Sequence, residues 1–156
     1  MTPSLCVSCD LVARRDRGEA PDWDCILRTA YWDVVHCNDT SLLGWMVLVL
    51  RRHVEAVAEL TGDEATECGA LQRQVSVALA GAVRCRKTYI AQFAESAEHP
   101  HVHYHVIPRM SDMPDEARGP GVFQRYLGVG EANRVPEAQM NALAQSVRES
   151  LTAMRK

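Results

Sequence analysis

Polar and apolar residues alternate in one stretch of this chain, residues 99–109, which holds four of its six histidines. Histidine occupies every second position from 99 to 105, and from position 101 onward the intervening residues are β-formers, which suit a pleated, half-buried surface. Because successive side chains of a strand point to opposite faces, the pattern predicts a strand with its histidines on one face. That face would carry His101, His103 and His105, and the face towards the core would carry Val102, Tyr104 and Val106.

Strand patterns also occur elsewhere in the chain. Residues 25–31 and 32–37 are rich in β-formers, and the nearly all-apolar residues 44–50 predict a central strand that is covered on both faces. Residues 88–93 predict a further strand. A short loop, 94–98, joins it to the histidine strand, which predicts a hairpin and therefore an antiparallel pair.

Helical patterns separate these strands. Thr61 and Glu64 match a capping box, and an apolar stripe at helical spacing follows them. Pro136 can begin a last helix, which also has an apolar stripe, and residues 122–127 predict a short turn. The order of strands and helices, with several antiparallel strands, predicts an α+β fold in one domain that spans residues 1–156.

The composition of the chain limits its possible binding partners and its cellular compartment. The chain is 47% hydrophobic and 24% charged, with a net charge of −3, which argues against binding along nucleic-acid polymers, because these need a basic footprint. The first residues lack the apolar segment of a secretory signal, and the longest apolar run, residues 42–50, is too short to span a membrane. With no export signal, the six cysteines indicate a reduced, cytoplasmic protein with no membrane partner.

Residues 101–109, His-Val-His-Tyr-His-Val-Ile-Pro-Arg, resemble the signature of the histidine triad (HIT) superfamily of nucleotide hydrolases and transferases. The apolar strand that is closed by Arg51, Arg52 and His53, the capped helix and the following strand also occur in the family's order. The resemblance covers residues 6–109. It implies a HIT-like fold, an antiparallel sheet of about five strands with a long helix packed on it, to which residues 110–156 would add an extra C-terminal helix.

The register of the histidine signature has two alternatives. His99-Pro100-His101 is superficially similar to the His-Pro-His of the related galactose-1-phosphate uridylyltransferases. The Val-Ile-Pro-Arg at 106–109 favours the register 101/103/105. Proline at position 100 agrees, because it suits the entry of a strand better than its centre.

The resemblance also implies a chemistry. A neutral imidazole is a good nucleophile towards phosphorus near neutral pH. His103, the middle histidine, would attack the α-phosphorus of an adenosine phosphoramidate or a dinucleoside polyphosphate and form a nucleotidyl-histidine. His105 would orient His103 or donate to a phosphate oxygen, and His101 completes the catalytic set. Candidate substrate contacts are Asn38, Asp39, Gln92, Ser96 and Arg109. The family commonly forms homodimers, and the resemblance implies the same here.

A metal site is also predicted. Cys6 and Cys9 form a Cys-x-x-Cys pair, and tetrahedral zinc needs two further ligands. In the zinc-containing branch of the superfamily these are the histidine after the basic pair and the first histidine of the triad, here His53 and His101. Such a zinc would be structural, because four protein ligands leave no open position. A redox pair and two unrelated cysteines are the alternatives.

Several positions depart from the family's pattern. Trp45 follows Gly44, where family members often carry histidine. Cys37 stands at the position of the acidic residue that holds the ribose hydroxyls, so Asn38 or Asp39 would serve only with a small shift. Residues 97–100, Ala-Glu-His-Pro, replace a Gly-Gln segment, and their glutamate would repel an anionic substrate.

Two other functions are open beside the enzyme. The first is a nucleotide-binding or regulatory protein on the same scaffold, with weak or lost turnover. The second is a metal-dependent hydrolase or oxygenase in which the His-x-His strand binds a catalytic metal, with His53 or an acidic residue as the third ligand.

Overall fold

A five-stranded antiparallel sheet is the centre of the computed structural model, which describes residues 6–155. The strands are β1 (Leu27–Arg28), β2 (Trp32–His36), β3 (Met46–Leu50), β4 (Lys87–Ala91) and β5 (His103–Arg109). The helices are α1 (Val7–Asp16), α2 (Gly62–Ala82), α3 (Gly121–Tyr126) and α4 (Glu137–Met154). The predicted α+β fold, with a long helix and a C-terminal helix beside the sheet, is confirmed.

The histidine strand β5 lies inside the sheet, whose order is β1-β2-β3-β5-β4. His103 pairs with Val49 and His105 pairs with Val47 of β3, and β4 flanks the other side of β5. All five residues of β3 are buried, as its continuous apolar sequence predicts. The histidines are therefore fixed on a strand that has a neighbour on each side.

The strand β5 begins at His103, later than the histidine pattern predicts. Upstream, the His101 amide bonds to the carbonyl of His99 at 2.8 Å, which turns the chain. The Val102 amide bonds to the carbonyl of Val54 at 2.8 Å, outside the ladder of the sheet. The connection from β4 to β5 therefore covers residues 92–102 rather than 94–98.

Each face of the sheet carries its own apolar cluster. On one face α2 and α4 pack with Leu71, Leu79 and Val147 on the buried side chains of β2, β3 and β5. The other face is covered at its two ends, by Val12 of α1 and by Val122 of α3. Between α1 and α3 this second face, which carries the histidines, is left open as a cleft.

The segment after β5 is built into the same structure. The amide of Val135 bonds to the carbonyl of Thr40 at 2.8 Å, and Thr40 forms an isolated β-bridge with Leu127. Helix α4 contributes Leu143 and Leu151 to the apolar cluster under α2. Among the described residues no helix is both long and apolar enough to cross a membrane.

Candidate functional site

Four predicted metal ligands come together at the end of the histidine strand. The ligand atoms of Cys6, Cys9, His53 and His101 all lie within 4.8 Å of one another. The Cys9 sulfur is 3.3 Å from Nδ1 of His53 and 3.5 Å from Nδ1 of His101. The two Nδ1 atoms are 3.3 Å apart, and the Cys6 sulfur is 3.6 Å from Nδ1 of His101.

These spacings fit the edges of a zinc tetrahedron. Zinc–sulfur bonds of about 2.3 Å and zinc–nitrogen bonds of about 2.0 Å place sulfur and nitrogen ligands roughly 3.5 Å apart, and two nitrogens roughly 3.3 Å apart. The other ring nitrogens also have partners. Nε2 of His101 donates to the Leu50 carbonyl at 2.6 Å, and Nε2 of His53 lies 3.5 Å from a Glu55 oxygen. Such outer contacts leave Nδ1 free to bind a metal, so the donor set suits zinc.

The cluster joins three separate segments of the chain. Cys6 occupies the N-cap position of α1, and Cys9 lies in the first turn of that helix. His53 follows β3, and His101 lies just before β5, fully buried. The amide of Val7 also bonds to the Glu98 carbonyl at 2.9 Å, which ties α1 to the 92–102 connection. A metal here would fix the entry of the histidine strand.

The ring of His103 is held by a backbone hydrogen bond. Its Nδ1 lies 2.7 Å from the carbonyl oxygen of His101, and because a carbonyl only accepts, Nδ1 carries the proton. Burial lowers the pKa of His103, although that hydrogen bond opposes the shift. The ring is therefore neutral near pH 7, and the lone pair of Nε2 is available for attack on an electrophile.

His105 has the opposite tautomer. Nε1 of Trp45 donates to Nδ1 of His105 at 3.0 Å, and because an indole only donates, Nδ1 must accept. The proton of the neutral ring is then on Nε2. Burial lowers the pKa of His105 to about 3, and repulsion from the protonated form of His103 at low pH adds to this shift. The two rings, whose centroids are 5.0 Å apart, therefore offer one lone pair and one N–H donor.

Trp45 supplies a contact that sequence reasoning missed. It occupies the position where HIT proteins often have a histidine, and the sequence alone left this role vacant or replaced. Its ring stacks edge-on against His105 and against Phe123 of α3. The only available signal was a donor-capable residue at that position, because the contact joins residues 60 positions apart.

His36 lies beside this cleft but has a structural role. The Gly44 amide donates to its Nε2 at 2.9 Å, and its Nδ1 donates to the Cys37 carbonyl at 2.6 Å. Burial lowers the pKa of His36 to about 4, so the ring is neutral. Both nitrogens are used to hold the turn between β2 and β3.

A cleft of about 560 Å³ is lined by His103 and His105 of the triad, whereas His101 is not among its lining residues. Its floor is the open face of the sheet, with Val35, Val47 and Val49 next to His103 and His105. One side is formed by α1 and the residues after it, including Leu11 and Trp23. The other sides are formed by Phe123 and Leu127 and by the 92–102 connection. The volume is that of a small-molecule site.

Three of the five predicted substrate contacts line this cleft, namely Asn38, Asp39 and Ser96. Neither Gln92 nor Arg109 is among its lining residues. Arg109 is buried near the end of β5, where its guanidinium donates to the Met110 carbonyl at 3.2 Å.

The expected ribose-binding region is altered by its neighbours. Asp39 accepts a hydrogen bond from Arg134 at 3.0 Å, so the segment after β5 engages its carboxylate. Cys37 also lines the cleft, and burial raises the pKa of its thiol to about 11. A neutral thiol therefore stands where HIT proteins carry an acid.

A buried ion network, which the sequence did not indicate, attaches α1 to the sheet beside the cleft. Arg15 donates to Asp24 at 2.6 Å and to Asp33 at 3.4 Å, and Arg28 donates to Asp33 at 2.8 Å. Arg14 also pairs with Asp24. Removal of one partner would leave a buried charge uncompensated. The network therefore fixes the position of α1, which forms one side of the cleft.

Comparison with known proteins identifies the fold. No protein-family model matches the sequence, and no curated protein sequence matches it. Many solved structures share its fold, and several of them are histidine triad proteins. A histidine triad protein from Sinorhizobium meliloti is 25% identical, with a TM-score of 0.66, over 81% of this chain and 87% of that chain.

Two others are more distant in sequence. A hypothetical histidine triad nucleotide-binding protein from Sulfolobus tokodaii is 17% identical, with a TM-score of 0.69, over 94% of each chain. A zinc-bound histidine triad family protein from Mycobacterium smegmatis is 16% identical, with a TM-score of 0.65, over 96% of this chain and 95% of that chain. The predicted resemblance is confirmed in the fold.

Proposed function

We propose that this chain, which has the histidine triad (HIT) fold, is a nucleotide hydrolase or nucleotidyltransferase that acts at the α-phosphate of a nucleotide. The observation that carries the proposal is the pairing of tautomers in the cleft. His103 is held with a free Nε2 lone pair by the His101 carbonyl, and His105 is held as a neutral Nε2–H donor by Trp45. A nucleophile beside a fixed donor suits two-step phosphoryl-group chemistry.

The first step forms a covalent intermediate. The Nε2 lone pair of His103 bonds to the α-phosphorus while the bond to the leaving group breaks. That bonding pair passes to the leaving atom, which takes a proton from water if it is an amine nitrogen. The Nε2–H of His105 donates to a non-bridging phosphoryl oxygen, where negative charge accumulates. In the second step water or another acceptor attacks phosphorus and loses its proton to solvent. The bond between phosphorus and Nε2 of His103 breaks, and His103 regains its lone pair.

The charge at the mouth of the cleft bears on the substrate class. Glu95 and Glu98 line the cleft and are exposed, and neither makes an ion pair within the described residues. Like charges across a site disfavour binding. The acidic rim therefore favours a nucleoside phosphoramidate, whose amine leaving group is not anionic, over a dinucleoside polyphosphate. Asn38, Asp39 and Ser96 are the proposed contacts to the rest of the nucleotide.

We also propose that Cys6, Cys9, His53 and His101 hold a structural zinc ion. The ligand spacings and the outer contacts of both histidines support this assignment. A zinc ion there supplies rigidity rather than a reactive site, because its four ligands leave no open position. His101 therefore contributes to the reaction through its backbone carbonyl, which orients His103.

Single-turnover trapping tests the covalent mechanism. A nucleotide with a label at the α-phosphate is mixed with excess protein and quenched, first in alkali and then in acid. We expect wild-type protein to retain a label that is stable in alkali and released by acid, and His103→Asn to retain none. Wild-type protein that stays unlabelled across a panel of phosphoramidates and dinucleoside polyphosphates would overturn the mechanism.

A binding measurement on the same protein tests the alternative, a regulatory nucleotide-binding protein. This alternative is favoured by the neutral Cys37 thiol and by the contact of Asp39 with Arg134, which remove the expected free acid from the ribose region. Calorimetric binding of a nucleoside monophosphate without any trapped label supports the regulatory function. Binding together with a label on His103 supports the enzyme.

A further inference from the structure

A hydrogen-bonded serine–histidine pair lies in the same cleft, outside the triad. Oγ of Ser8 is 2.9 Å from Nδ1 of His99, and both side chains line the cleft together with His103. Ser8 is buried, with 6% of its surface exposed, and His99 is half-buried. The pair connects positions 91 residues apart in the sequence, so only the tertiary fold brings it together.

The backbone around the pair is fixed. Ser8 lies in the first turn of α1, between the two cysteines of the metal cluster. The amide of His99 bonds to the Ser96 carbonyl at 2.9 Å, and the carbonyl of His99 accepts from the amide of His101 at 2.8 Å. Both partners are therefore anchored within two residues of a cluster ligand, which restricts the orientation of the imidazole.

The hydrogen bond determines which ring nitrogen can reach a ligand. His99 is the hydrogen-bond partner of the Ser8 hydroxyl among the described residues. A hydroxyl can donate or accept, and donation to Nδ1 is the arrangement in which the proton of this buried hydroxyl has an acceptor within the protein. The proton of the neutral ring is then on Nε2. That atom makes no hydrogen bond within the described residues, yet it is not among the buried, unsatisfied polar atoms. A second N–H donor is therefore available beside His103.

We propose that Nε2–H of His99 donates a hydrogen bond to the leaving group of the substrate, and that Ser8 is the positioning residue of His99. This inference rests on the proposed function. The two donors contact different atoms of the substrate. His105 donates to a phosphoryl oxygen that stays with the nucleotide, and His99 donates to the atom that departs.

The hydrogen bond acts in the first step. As Nε2 of His103 bonds to phosphorus, the bonding pair between phosphorus and the leaving oxygen or nitrogen passes to that atom. The donor of His99 stabilises the negative charge that develops there, and the departing atom takes a proton from water as the bond breaks, so that an amine leaves in its neutral form. His99 keeps its own proton, so it is unchanged at the end of the turnover.

Leaving-group dependence tests the inference. The substrates are the 4-nitrophenyl and phenyl esters of adenosine 5′-monophosphate, which share the nucleotide and differ in the stability of the phenolate. For the phenyl ester we expect His99→Ala to lower kcat/KM roughly 10- to 100-fold. For the nitrophenyl ester, whose leaving group needs little help, we expect less than about a threefold loss.

Two further variants and a control separate positioning from folding. Ser8→Ala should show the same dependence on the ester with a smaller amplitude, because the ring remains but loses its orienting bond. His99→Gln, which keeps an N–H donor, should recover part of the phenyl-ester rate. Ser146→Ala, an exposed serine on α4, should leave both rates unchanged. Metal content is measured for each variant. If His99→Ala loses its metal, His99→Gln and Ser8→Ala are compared with wild type in its place.

The outcomes distinguish this inference from the proposed function. A wild-type protein that forms no adduct on His103 with the nitrophenyl ester overturns the proposed function and this inference with it. An adduct in wild type and in His99→Ala, with equal losses for both esters or no loss at all, overturns the inference alone. A loss confined to the phenyl ester supports it.

Discussion

At the scale of single residues, Trp45 is the side chain that sets the tautomer of His105. We expect Trp45→Phe to leave Nδ1 of His105 buried without a partner, at a cost of about 1–3 kcal/mol in the free energy of unfolding. The proton of His105 would no longer be fixed on Nε2, and we expect kcat to fall roughly tenfold. Nitrogen chemical shifts of the His105 ring measure the tautomer directly.

Trp32→Phe is the matched control for this substitution. Trp32 is also fully buried and also uses its indole N–H, which donates to the Glu64 carbonyl at 2.9 Å, but it packs in the apolar cluster under α2. We expect a similar loss of stability with an unchanged His105 tautomer. A Trp45→Phe protein that retains the wild-type tautomer would show that burial alone sets it.

At the scale of secondary structure, the N-terminus of α2 carries a charge-dependent contribution to stability. Glu64 accepts from the Thr61 amide at 2.8 Å and from Arg52 at 2.8 Å, and the hydrogen bond from Arg52 lowers the pKa of Glu64 to about 2. Because this pKa lies below that of the unfolded chain, the contribution is fully present above about pH 4.5. It is lost as the pH falls through about 2.

Glu64→Gln should therefore be less stable than wild type by roughly 1–2 kcal/mol at pH 7, and the difference should shrink towards pH 2–3. Urea unfolding at a series of pH values measures the difference between the two proteins. Asp63→Asn removes a neighbouring exposed acid in the same turn and is expected to have a small effect. A difference that is constant with pH would mean that the ion pair does not contribute.

The elements that the sequence predicted well are those with local signals. The apolar run of β3 and the Thr61–Glu64 capping box both lie within a few residues of the structure they determine. The sequence predicted a start of β5 that is too early. The chain turns at His101, and the next amide, that of Val102, bonds to the carbonyl of Val54, which is distant in the sequence. The cleft contacts of Ser8 and Trp45 join residues 60 or more positions apart, so no local pattern encodes them.

At the scale of the whole molecule, the metal cluster connects α1 to the sheet. We expect protein purified without added zinc to contain about one zinc per chain, and chelation to lower the free energy of unfolding by at least about 2 kcal/mol. Cys9→Ser should abolish this effect of the chelator. Cys25→Ser, a half-buried cysteine outside the cluster, should leave it intact. A fully folded wild-type protein that contains no metal would show that zinc does not contribute to the stability of the fold.

The assembly is predicted to be a homodimer through β4. This strand is one of the two edges of the sheet, so it presents unpaired backbone donors and acceptors. Ile90 on β4 is 43% exposed and Val77 on α2 is 47% exposed, and β4 contacts α2 where Ser76 and Thr88 bond at 2.7 Å. Antiparallel pairing of two β4 strands about a two-fold axis would cover both apolar side chains and extend the sheet across the interface.

Light scattering during size-exclusion chromatography measures this assembly. We expect wild type at dimer mass and Ile90→Lys shifted towards monomer, because a lysine on each strand would place like charges in an interface that should bury about 800 Å² per partner. Val57→Lys is the matched control, since Val57 is 45% exposed but precedes α2, away from β4. Loss of the dimer in both variants would place the interface elsewhere, and a monomeric wild type would make the exposed edge of β4 a surface of the single chain.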